Sequence, residues 1–184
     1  MRLDEPRVAP LEADAWDEKA KEVMARFDGP GEVLNIFKTL VNHPDLMRRW
    51  IVFGNHVLGK STLDVREREL VILRIGYLCQ SAYEWGQHVL ISREAGMTEE
   101  EIRSCKTDSR APGLSELDRL LFKATEELHE DAFIADETWS GLQEYLSTQQ
   151  LMDLVFTVGQ YNLVSMALNT FGVQADKGLP GWDV

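Results

Sequence analysis

Residues 66–88 read RERELVILRIGYLCQSAYEWGQH, and they set the reading of the whole chain. Leu70, Val71, Leu73, Ile75 and Leu78 occupy so much of a helical circumference that a helix over 65–79 is expected to be buried on nearly all sides. Asp64 with Glu67 three residues on has the capping-box pattern at its start. Ser81 with Glu84 repeats that pattern, so a second helix is expected from there to Ala95, closed by Gly96. Glu84 and His88 are four apart and share a helix face. If the two helices pack antiparallel, Glu69 reaches that same face. A carboxylate beside an imidazole in apolar surroundings is a proton-transfer device: desolvation raises the carboxyl pKa, and the carboxylate fixes the ring and favours its charged form.

Outward from this stretch the pattern stays helical. One helix is expected over 13–27, with Asp14 near its start and Asp28-Gly29-Pro30-Gly31 ending it, and a short one over 33–41. Pro44 suits the first turn of a helix reaching Leu58, with Gly59 as its C-cap. Thr98 with Glu101 opens a short helix to Cys105. Ser115 opens one to His129, a further helix carries 139–146, and the last runs over 149–171. The residues after Gly172, rich in Gly, Pro and Asp, read as an irregular tail over 172–184. The expectation is a single all-α domain, 1–184, of seven to nine helices.

The chain has 184 residues, 44% hydrophobic and 27% charged, which suits one domain with its own core. With 19 basic against 31 acidic residues the net charge is -12, which argues against nucleic acid or an anionic membrane as a partner. No apolar run of the length of a membrane span and no signal-peptide stretch is evident, so a cytoplasmic location is expected. Cys79 and Cys105 cannot build a disulfide framework or a four-cysteine zinc site, and in a reducing cytoplasm they are expected as free thiols. Walker A, G-x-G-x-x-G, H-E-x-x-H and G-x-S-x-G patterns are absent. A mononuclear metal site usually wants two histidines. Only His56 stands as a second one, so no metal is assigned.

The stretch RERELVILRIGYLCQSAYEWGQHV resembles the signature region of the carboxymuconolactone decarboxylase family, which includes the AhpD-like alkylhydroperoxidases. The upstream NIFKTLVNHPDL and the downstream AGMTEEEI fit the same layout, and the similarity covers 35–171. The resemblance implies an AhpD-like helical bundle that assembles as a homo-oligomer, a trimer or a hexamer, with sites between helices and near subunit contacts. In the AhpD-like branch a glutamate precedes C-x-x-C-x-x-x-H. Here the glutamate falls on Glu69, the histidine on His88, and the two cysteine positions on Ser81 and Glu84. Neither redox thiol is present, so a dithiol peroxidase mechanism is disfavoured.

What remains resembles the decarboxylase branch, where a histidine and carboxylates act on a small lactone without metal or organic cofactor. The expected activity is acid–base chemistry on a small carbonyl-bearing or carboxylated molecule, of decarboxylase, lyase or isomerase type. His88 would move the proton, Glu69 would orient or assist it, and Glu84 would polarise it or serve as a second acid or base. His56, Tyr83 and Trp85 are candidate substrate-binding residues, although His56 also suits a helix C-terminus. A carboxylated lactone would want cations, and Arg66, Arg68, Arg74 and Arg93 are available. The alternatives are a peroxidase-like activity at Cys79 and a ligand-binding scaffold without turnover.

Overall fold

The computed structural model describes residues 1–27 and 33–184. Among them are nine α-helices: α1 (Glu18–Met24), α2 (Asn35–Leu40), α3 (Pro44–Gly59), α4 (Val65–Leu78), α5 (Ala82–Glu94), α6 (Glu99–Ser104), α7 (Glu116–Asp131), α8 (Asp136–Gln143) and α9 (Thr148–Phe171). The expected turn Asp28-Gly29-Pro30-Gly31 lies outside the described residues. The helix expected over 13–27 is instead broken: 3-10 turns at Ala13–Ala15 and Ala25–Phe27 flank α1. The reason is local, because the Asp17 carboxylate accepts from Ala20 N at 2.7 Å and starts α1 there.

α4 is the central element, packed on α5, α7 and α9. Its nine consecutive residues from Arg68 to Gly76 are buried, as its apolar circumference requires. The chain then reverses at Gln80, whose φ of 53° is left-handed, and α5 returns along α4. Glu69 faces His88, and Gly76 faces Glu84, the register of an antiparallel pair. Of the expected capping boxes, Thr98–Glu101 forms fully. Ser81 stands at the N-cap of α5 but makes no capping bond, and its hydroxyl is buried without a partner. Glu84, which would complete that box, turns inward to His88 instead.

The residues after Gly172 are irregular but firmly seated. Trp182 packs against Trp85 at 5.4 Å and Tyr77 at 5.7 Å between ring centroids, and Lys106 donates to the carbonyls of Trp182 and Val184. The tail crosses α5 at Gly86, where an added Cβ would lie 2.8 Å from the Pro180 carbonyl oxygen. Only glycine admits that approach. The expected lack of an apolar segment of membrane-span length fails at α9. α9, at 24 residues, is long and apolar enough to span a membrane by length and composition. Its interspersed Gln, Asn, Ser and Thr hide this from a search for unbroken apolar runs. Half of its most apolar window is buried inside the bundle, as a core helix is.

Candidate active site

Glu69, Glu84 and His88 meet. His88 Nδ1 lies 2.6 Å from Glu69 Oε2, and His88 Nε2 lies 3.0 Å from Glu84 Oε1. The other oxygen of Glu69 accepts from both Nε and Nη2 of Arg68, at 3.0 and 2.8 Å. All four residues are buried, with Glu69 at 0% exposure. Two ionised carboxylates against two ring nitrogens favour an imidazolium, since a neutral ring has only one N–H to donate. Burial by itself would lower the His88 pKa, but the Glu69 charge and hydrogen bond, reinforced by Glu84, override it and push it up to about 9. Burial likewise opposes ionisation of Glu69, and His88 and Arg68 outweigh it, so its pKa is lowered. The charges of Arg68, Glu69, His88 and Glu84 then balance, which is the condition for keeping such a cluster out of water.

Glu84 and His88 line a pocket of about 160 Å³ between α2, α3, α5 and α9. Its walls are mainly apolar, with Phe37, Trp50, Ile51, Ile91 and Val164 among them. Glu69 and Arg68 stand behind His88 and do not line it. Tyr161 stands edge-on to the His88 ring, with centroids 4.8 Å apart and planes at 87°.

The three residues expected to bind substrate separate. Tyr83 lines the pocket, but its hydroxyl is committed to Asp176 of the tail. Trp85 does not line it: it is fully buried on the opposite side of α5, and its indole N–H donates to the Gly181 carbonyl at 3.1 Å. Its contacts with Trp182 and the Gly181 carbonyl hold the indole on the tail side, away from the wall that Glu84 forms. His56 is outside as well. It lies half-exposed near the end of α3, with Nε2 3.4 Å from Asp153 Oδ1. Asp153 is itself fixed by the backbone and hydroxyl of Thr62.

None of the four arginines considered for a carboxylated substrate lines the pocket. Arg66 binds Glu101 and Asp118, Arg68 binds Glu69, Arg74 binds Glu126 and Arg93 binds Glu99. Cys79 faces a different hollow, with Sγ 3.1 Å from Asn162 Oδ1 and 3.9 Å from His129 Nδ1. Burial raises its pKa, and that of Cys105 also. Among the described residues no group of three or more His, Cys, Asp and Glu has a metal-binding arrangement. Sequence reading missed Gln160 and Tyr161, because polar residues are interspersed all along α9 and nothing in the sequence singles these two out. It also missed Asp176 in the tail, for which the sequence held no signal.

The model of the carboxymuconolactone decarboxylase family matches residues 44–127, the span from α3 into α7 that carries Glu69, Glu84 and His88. An AhpD-core, peroxidase-related protein from Ralstonia eutropha JMP134 superposes with a TM-score of 0.80 at 17% identity, over 94% of this chain and 93% of that one. A peroxidase-related protein from Silicibacter sp. TM1040 gives 0.74 at 16% identity, over 97% and 93%. The debrominase Bmp8, solved as a cysteine-to-alanine variant with 2,3,4-tribromopyrrole, gives 0.75 at 11% identity, over 95% and 94%. No curated protein matches the chain. The similarity to the carboxymuconolactone decarboxylase family thus spans residues 44–127, and the fold is the AhpD-like helical fold.

Proposed function

We propose that the protein is a cofactor-independent acid–base enzyme acting on a small carbonyl compound, of the lyase or isomerase type. The observation that carries this is the His88 ring held between Glu69 and Glu84 at the wall of an apolar pocket. In the simplest step, a C–H bond next to the substrate carbonyl breaks. Glu84 takes the proton, and the electron pair moves onto the carbonyl oxygen. Glu84 returns the proton to the same carbon or to a conjugated one, so exchange or isomerisation needs no co-reactant. His88 offsets the charge changes on Glu84, and Glu69 with Arg68 holds the ring in place. A ligand-binding scaffold is less well supported, because Glu84 and His88 are buried at a pocket and do not face open solvent. A thiol peroxidase is disfavoured because Ser81 and Glu84 stand at the redox positions.

The test is deuterium entry from D2O into α-angelica lactone, a neutral enol-lactone, followed by proton NMR. The wild-type chain is expected to catalyse exchange, and Glu84→Gln and His88→Ala to lower it by a hundredfold or more. Variants that fold and exchange at the wild-type rate would remove the assignment.

Self-association is part of the proposal. Val52 and Phe53 of α3 and Met152, Phe156, Leu163 and Met166 of α9 are exposed, and such an apolar face suits a second copy of the chain. Phe156→Glu is expected to reduce the mass seen in sedimentation to that of a monomer. A cytoplasmic location fits both cysteines being free.

A further inference from the structure

Two buried side chains of the pocket carry polar groups that no hydrogen bond within the protein uses. Gln160 and Tyr161 are 6% and 7% exposed, and both line the pocket. Among the described residues none makes a hydrogen bond to the Gln160 amide or the Tyr161 hydroxyl, and both residues face the pocket. An unused donor in such a place costs stability unless a ligand or water takes it.

Among the described residues the pocket has no unpaired cation to offer. Among the described residues no lysine or arginine lines it, and the charged residues there are Glu84 and His88, already paired with each other. A substrate carboxylate would lose its hydration among Phe37, Trp50, Ile51 and Ile91 and gain no partner. The volume of about 160 Å³ is close to the roughly 150 Å³ at which an apolar protein cavity accepts one benzene ring.

We infer that the pocket takes an uncharged single-ring carbonyl compound, with Tyr161 and Gln160 donating to its carbonyl oxygen. This rests on the acid–base reading of Glu84 and His88. It assigns Tyr161 a role beyond that pair: a donor placed where the carbonyl oxygen gains charge as the proton leaves. Burial, with Glu84 and Glu69 nearby, raises the Tyr161 pKa well above its ordinary value, so the hydroxyl keeps its proton.

The probes are 2-pyrone, a neutral ring lactone, and 2-pyrone-5-carboxylate, the same ring with a charge, measured at pH 7 by ligand-observed NMR titration. The wild-type chain is expected to bind 2-pyrone at least tenfold more tightly than the carboxylate. Tyr161→Phe should weaken 2-pyrone about fivefold, the value of one neutral hydrogen bond. Gly54→Leu should abolish binding by filling the pocket from α3. Position 54 lines it, and an added Cβ there meets nothing closer than 3.6 Å, so the helix tolerates the start of the side chain. Equal or tighter binding of the carboxylate, no binding of 2-pyrone, or an unchanged affinity in Tyr161→Phe would each overturn the inference. A carboxylate preference with α-angelica lactone exchange intact would defeat this inference alone. Loss of exchange with 2-pyrone binding intact would defeat the acid–base reading alone.

Discussion

Replacing Glu69 by Gln removes the charge that does most to keep His88 protonated. In the folded wild-type chain the ring has a pKa of about 9 against an ordinary 6.5. At about 1.4 kcal/mol per pH unit, that gap is worth roughly 3 kcal/mol of folding free energy. The folded value lies above the unfolded one. The contribution is therefore fully present below pH 6.5 and is lost as pH rises to about 9. Urea unfolding followed by circular dichroism at several pH values in this window should show wild-type stability falling by roughly that amount. In Glu69→Gln, burial acts against the ring's charge with only Glu84 to oppose it. The variant should lose most of this pH dependence, and should already be less stable at pH 6.5 by about 3–5 kcal/mol because Arg68 loses its buried partner. A wild-type stability that is flat from pH 6.5 to 9, or a variant with the same slope, would refute the charge assignment.

Gly86→Ala places a methyl 2.8 Å from the Pro180 carbonyl and should displace the tail from α5 at a cost of about 1–3 kcal/mol; near-UV circular dichroism, which reports the Trp85–Trp182 packing, reads it, and an unchanged spectrum and melting temperature would contradict the seating of the tail. At the acid end, Glu69 has a lowered pKa in the folded state, so its contribution is present above its unfolded value of about 4.5 and is lost as pH falls below it. Glu69→Gln should show a shallower acid-unfolding profile than wild type, and identical profiles would argue against the pairing. Burial keeps the Cys79 and Cys105 thiols protonated, so iodoacetamide at pH 8 should label both at least tenfold more slowly than free cysteine, as read by intact-mass spectrometry.

The helical architecture was legible because periodicity and caps carry it. The apolar circumference of 70–78 announced a buried α4, and Thr98–Glu101 and Ser115 marked starts that the structure keeps. The meeting of Glu69 with His88 followed once the two helices were taken as antiparallel. Spacing alone failed where tertiary contacts decide direction. Trp85 neighbours Glu84 in sequence but serves the packing of Trp182, a partner 97 residues away that periodicity does not register. Ser81 and Glu84 had the capping pattern, yet the buried histidine took the carboxylate. The arginines around the signature looked like anion binders, and each had its own acid from another part of the chain or, for Arg68, from the next residue. Asp176 reached Tyr83 and Gln87 from an irregular tail whose composition said only that it would not be helical.

Proton transfer without sulfur is the central proposal for the His88–Glu84 pair. The decisive measurement is the rate of deuterium entry into α-angelica lactone for the Cys79→Ser/Cys105→Ser chain beside Glu84→Gln. The cysteine-free chain should exchange at the wild-type rate, and Glu84→Gln should not exchange above background. A cysteine-free chain reduced to background, with Glu84→Gln still active, would contradict the proposal.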